Sequence, residues 1–162
     1  MNLRAILALT LAAAASPACA VDGCTPLAGM PINFKVTWPQ VWQRLNDEAS
    51  CTQNCHIGSA PTGDLDLSSR NIAVYFLAQP SSQLNTVLRV DPGNPRGSLF
   101  FQKASCGFPA VGTMMPPPKG SISWDLQGLI YDWIEQGAYG ENPEDPIPRD
   151  FMFRDSMESL RR

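Results

Sequence analysis

A predominantly helical chain is predicted, on three observations. Apolar residues recur at helical spacing in separate segments. Three of those segments open on Thr or Ser, the residue types that cap a helix N-terminus. The connections between them are broken by proline and glycine, 15 and 12 residues respectively. In chain order, residues 21–36 read as an N-terminal strap, with Ile32-Asn33-Phe34-Lys35-Val36 alternating as a short extended segment does. Thr37 caps a first helix with Pro39 in its tolerant first turn and Val41, Trp42, Leu45 and Ala49 at helical spacing, running directly into Cys51. Residues 58–69 form a loop. Ser69 opens a short helix through Ile72, Ala73, Tyr75, Phe76 and Leu77, which stops before Pro80 because proline disfavours a helical predecessor. Val87-Leu88-Arg89-Val90 is a brief extended run ended by the turn Asp91-Pro92-Gly93-Asn94-Pro95. Residues 98–103 make one or two helical turns carrying Leu99, Phe100 and Phe101, and residues 106–120 are irregular. Ser123 caps the strongest helix: Asp125 suits its positive end, Leu126, Leu129, Ile130, Trp133 and Ile134 share one face, and Gly137 stops it. Residues 140–162 are a charged, Pro-containing extension anchored by Phe151, Met152, Phe153, Met157 and Leu160.

Composition narrows the function classes. With 162 residues, 44% hydrophobic and 17% charged, one domain with a modest core is expected, and a disordered or coiled-coil chain is not. A net charge of −3 gives no reason to expect a nucleic-acid partner. Residues 1–20 read as a cleaved secretory signal: Arg4 is the positive region, the Leu/Ala run the apolar region, and Ala18-Cys19-Ala20 the small-residue cleavage site. The apolar run is shorter than the ~20 residues that span a bilayer, so no transmembrane segment is expected in the mature chain. The expected location is periplasmic or secreted. Cleavage takes Cys19 and leaves Cys24, Cys51, Cys55 and Cys106 in an oxidising compartment, where two disulfides in any of three connectivities are one reading. The chain has one histidine, which excludes sites needing two imidazoles, most zinc enzymes and bis-histidine haem among them.

That histidine ends the segment Cys51-Thr52-Gln53-Asn54-Cys55-His56. A Cys-His pair closing a two-cysteine motif is how c-type haem is attached: the thiols add to the two vinyl groups, and the adjacent imidazole reaches under the iron. Here three residues separate the thiols rather than two. A bulged loop accommodates the extra residue; alternatively Cys55 alone attaches the group, Thr52 standing where the first cysteine usually stands. A disulfide-bonded loop with a surface histidine is the plainer reading of the hexapeptide. A low-spin haem iron needs a second axial ligand, and the candidates are Met30, Met114, Met115, Met152 and Met157. Met115 is preferred because Pro116-Pro117-Pro118 braces a non-helical loop able to present one thioether. Pro61 or a neighbour in the following loop is the expected acceptor for the second ring nitrogen of His56.

The ordered set of a helix leading to Cys51, Cys55 and His56, then Gly58-Ser59-Ala60-Pro61-Thr62-Gly63-Asp64-Leu65, then Arg89-Val90-Asp91-Pro92-Gly93-Asn94-Pro95 with Ser98-Leu99, then Met115-Pro116-Pro117, then Trp133-Ile134-Glu135-Gln136-Gly137-Ala138, resembles bacterial class I-type cytochrome c domains with an MPP ligand loop and a terminal W-I-x-x-G-A helix. The likeness spans roughly residues 37–139. It implies an all-α fold, with the first and last helices crossing over a haem crevice. It further implies one haem c held covalently at Cys51 and Cys55, with His56 and Met115 as axial ligands of the iron. Cys24 and Cys106 then lie outside the haem site, where a disulfide between them ties the strap to the loop before Met115.

Six-coordinate iron has no open position for substrate, so the expected function is one-electron transfer to transient redox partner proteins, not catalysis. Two alternatives remain from the residues: a copper protein, since Cys-x-x-x-Cys and methionine also bind copper, and a metal-free, disulfide-stabilised secreted interaction module.

Overall fold

The computed structural model describes residues 23–117 and 122–141. The proposed signal at residues 1–20, the extension beyond 141, Pro118, Met152 and Met157 lie outside the described residues. Within them the chain is helix-rich and has no strand. Four α-helices carry the core: α1, Trp38–Arg44; α2, Arg70–Leu77; α3, Leu99–Ser105; and α4, Trp124–Glu135. No helix among the described residues is long and apolar enough to cross a membrane.

The first helix starts where expected. Thr37 is its N-cap in an extended conformation, and its N–H and hydroxyl both donate to Gln40 Oε1 at 2.8 and 3.2 Å. The helix does not run on regularly to Cys51. It widens into a π-helical turn, Leu45–Ala49, and ends at Ser50 in the left-handed region at φ 50°. That reversal turns the chain back into the Cys51–His56 loop. The aromatic of α1 that enters the core is Trp38, with Trp42 only half-buried and its indole N–H donating to Leu67 O at 3.0 Å. Trp38 stands three residues before Val41 and seven before Leu45, so it shares their helical face.

Trp38 meets Trp133 of α4 with ring centroids 5.2 Å apart, and Phe100 of α3 packs edge-on to both at 6.2 and 6.4 Å. The three rings join α1, α3 and α4. The Trp38 indole N–H donates to Arg70 O at 2.9 Å, which brings α2 to the same cluster. Of the expected core aromatics, Phe101 and Trp133 are fully buried, while Phe100 is partly exposed.

The α4 helix follows its sequence signals closely. Ser123 Oγ accepts the Leu126 N–H at 3.2 Å, Leu126, Leu129, Ile130, Trp133 and Ile134 are all buried, and Gly137 ends the helix at φ +113°. Ser123 also donates to a carboxylate oxygen of Glu48 on the π-turn, at 2.5 Å. Loss of both bonds in Ser123→Ala is expected to lower stability by about 1 kcal/mol, seen as a reduced urea midpoint with an unchanged slope. Gly128, inside α4, is explained by Met30: a Cβ there would come within 2.8 Å of the Met30 Cε.

Residues 32–36 and 87–90 form no strand; the first instead clamps α4, with Asn33 N–H and Nδ2 both donating to Asp132 Oδ2 at 2.7 and 2.9 Å. The second pairs only through an isolated bridge between Pro80 and Leu88, and its carbonyls accept the first N–H groups of α3: Leu99 N to Leu88 O at 3.0 Å and Phe100 N to Arg89 O at 2.9 Å. A helix start has such donors to satisfy. Cys24 and Cys106 are joined by a disulfide across 82 residues of sequence. Thr25 N–H and Oγ1 bond Ser105 O at 2.9 and 3.1 Å beside it, so the strap caps the C-terminal end of α3.

Candidate functional site

Between the π-turn, the 51–67 loop, α3 and α4 lies an open cavity of about 770 Å³, solvent at its mouth included. Its wall is mostly apolar, built from Leu45, Leu65, Leu67, Leu99, Phe100 and Ile130. The polar side chains on it include Cys51, His56, Arg89 and Lys103, and one methionine, Met115, also faces it.

His56 is held from several directions. Its carbonyl accepts the Leu67 N–H at 2.7 Å, and the preceding Cys55 carbonyl accepts the Thr62 N–H at 3.0 Å. Its Nδ1 lies 3.1 Å from Leu65 O. A carbonyl only accepts, so Nδ1 carries the proton and Nε2 is left with a free lone pair. The acceptor is therefore Leu65, not Pro61; the Pro61 carbonyl instead accepts the Asp64 N–H at 3.0 Å in the 3₁₀ turn Thr62–Asp64. That turn makes the difference, because it directs the carbonyl of the residue after it toward the ring. Burial pushes His56 below the ordinary imidazole range. The ring is neutral at neutral pH, the form that ligates metal.

Met115 enters from the opposite end of the chain. Its N–H donates to Lys103 O at 2.7 Å, and the Met115–Pro116 peptide is cis. Met114 is half-buried but is not on the cavity wall, and Met30 lies over α4. Among the described methionines, Met115 is thus the one that shares a cavity with His56. The two thiols separate: Cys51 is partly buried on the wall, whereas Cys55 is exposed and outside the lining. Both are free, and burial, with the neighbouring Cys55 charge adding to it, pushes the Cys51 thiol up.

Arg89 was not expected at the site. It is 7% exposed and its guanidinium donates to three backbone carbonyls: Phe76 O at 3.0 Å, Gly63 O at 3.1 Å and Asp64 O at 3.1 Å. Two of these belong to the turn that aims Leu65 O at His56. Burial lowers the Arg89 pKa, with Asp64 opposing, but so basic a group stays charged. Arg89→Leu is expected to cost about 1–3 kcal/mol, because buried carbonyls lose a charged donor. Faster amide exchange at residues 62–67 than elsewhere is the local signature; uniform acceleration would mean that Arg89 holds no particular segment. The sequence signal was faint: an arginine before Val90 in an apolar run.

Among the described residues no three of His, Cys, Asp and Glu come together as a metal cage. A porphyrin iron asks less of a protein, since the ring supplies four nitrogens and only axial donors are needed. One imidazole lone pair and one thioether on a shared apolar cavity, with a thiol on the same wall, suit that requirement. No protein-family model, no curated protein and no solved structure matches this chain.

Proposed function

We propose that the protein is a periplasmic or secreted c-type cytochrome, a one-electron carrier for transient redox partners. In this reading Cys51 and Cys55 would hold one haem c covalently, and His56 and Met115 would ligate its iron. The observation that carries it is that His56 and Met115, 59 positions apart in the sequence, line one apolar cavity. Bound there, the haem supplies an iron that cycles between two oxidation states.

The chain's own residues do the rest. The Leu65 carbonyl orients the His56 ring and fixes its tautomer, which raises the basicity of Nε2. The Lys103 carbonyl holds the backbone of Met115, so that its thioether would be presented to the cavity from a fixed point of the chain. A thioether favours reduced iron, and the apolar wall disfavours the additional positive charge of oxidised iron; both act to raise the potential. The Arg89 and Lys103 cations on the wall act in the same direction. If His56 and Met115 both ligated the iron, no coordination position would be left for a substrate, which is why electron transfer and not catalysis is proposed.

The test is an absorption spectrum and a pyridine haemochrome assay on protein expressed with its leader in a host that matures c-type cytochromes. A Soret band that survives acid–acetone extraction is expected. Its absence would sink the reading and leave a metal-free or copper-binding secreted module. The haemochrome band also separates attachment at two vinyl groups from attachment at one, and so decides the role of Cys51.

A further inference from the structure

We infer that Gln102 is a positioning residue for Met115, holding the loop that presents its thioether to the cavity; the inference rests on the electron-carrier reading above. Gln102 is 2% exposed on α3. A buried amide is tolerated only when its polar atoms are bonded. Here both ends are used: Nε2 donates to Arg96 O at 2.8 Å, and Oε1 accepts the Ala110 N–H at 2.9 Å. A leucine would fill a similar space without the desolvation. What the amide adds is a tie, backward to the 3₁₀ turn Pro95–Gly97 and forward to the segment that leads to Met115.

Consecutive positions of α3 hold that segment. Gln102 holds Ala110, Lys103 O accepts the Met115 N–H at 2.7 Å, and Lys103 Nζ reaches Thr113 O at 3.5 Å. Lys103 O is one of the carbonyls in the last turn of the helix, which have no partner within it. The segment therefore caps α3 while α3 positions the segment. At its start, Cys106 is fixed by the disulfide to Cys24. The run from Cys106 to Met115 is divided near its middle by the Gln102 bond.

Without that bond the free run about doubles in length. The effective concentration of a tethered group falls with about the −3/2 power of tether length, so the hold on Met115 weakens roughly threefold. The open population is read by a competing ligand, whose apparent affinity scales with the fraction of molecules in which Met115 is off the iron.

The experiment titrates the oxidised haem-loaded protein with imidazole, following the Soret shift. Urea midpoints and amide exchange at Ala110 and Met115 are measured on the same samples. Gln102→Met is expected to bind imidazole threefold or more tighter than the parent, with faster exchange at both amides. Gln102→Glu keeps the acceptor for Ala110 but sets a carboxylate against Arg96 O, and is expected to fall between the two. Unchanged imidazole affinity with a lowered urea midpoint would make Gln102 a general stabiliser and overturn the proposal. Should Gln102→Met not fold, Gln102→Glu decides: tighter imidazole binding than the parent supports the role, and equal binding overturns it. If the parent carries no haem, the electron-carrier reading fails on its own. Exchange at the Met115 amide then decides the tie, acceleration in the variants supporting it and parental exchange overturning it.

Discussion

Met115→Ala in the haem-loaded protein is expected to abolish the long-wavelength thioether–iron charge-transfer band and to lower the reduction potential by an amount on the order of 0.1 V, within the ~0.8 V that axial ligands span. The direction follows from chemistry: removing a soft thioether removes a preference for reduced iron. The magnitude depends on what enters the open position, where water and the Lys103 amine of the same cavity wall are the candidates. Met114→Ala is the control. Its side chain is not on the cavity wall, so the band should persist and the potential should stay near the parent's. Loss of the band in Met114→Ala with retention in Met115→Ala would move the ligand by one residue and contradict the cavity assignment.

The second large effect is on stability. Replacing both Cys24 and Cys106 by serine is expected to cost about 4–5 kcal/mol, the chain-entropy figure for opening a loop of this length. The disulfide closes 82 residues of separation and encloses α1, α2, α3 and the whole 51–67 loop. A domain of this size has little stability to spare, typically about 5–15 kcal/mol. The variant should therefore unfold at a much lower urea concentration, with Thr25 released from Ser105 O and the C-terminal end of α3 freed. A loss below about 1 kcal/mol would show that the reduced unfolded chain is already compact enough for closure to matter little.

The helices were readable because their signals are local. Ser123, the apolar positions of α4 and Gly137 each act within a turn or two of themselves, and α4 follows them. Thr37 and Ser69 likewise mark the starts of α1 and α2. The two extended segments do not become strands for a related reason: alternation describes a conformation, but a strand needs a neighbour along its length, and residues 87–90 find one only at the isolated Pro80–Leu88 bridge. Trp38, at the first helical position, precedes the expected run of Val41, Trp42, Leu45 and Ala49, yet its spacing to Val41 and Leu45 puts it on the buried face in place of Trp42.

For the site, residue chemistry came from the sequence and proximity did not. A lone histidine beside a cysteine and a methionine before prolines could be named as donors from their types alone. That His56 and Met115 line the same cavity, that Cys51 is on its wall and Cys55 is not, and that Leu65 supplies the acceptor depend on how distant segments pack. A backbone carbonyl has no sequence signature. Arg89 and Gln102 read as surface residues by type, and burial became tolerable only because the fold brings carbonyls and an amide N–H to them from separate segments. The sequence by itself thus determined where the helices begin and which side chains can bind a soft or borderline metal, since both are properties of a few adjacent residues. The tertiary structure alone decided which of those side chains meet and what holds them, because hydrogen bonds and apolar contacts between positions far apart in the chain exist only once it is packed.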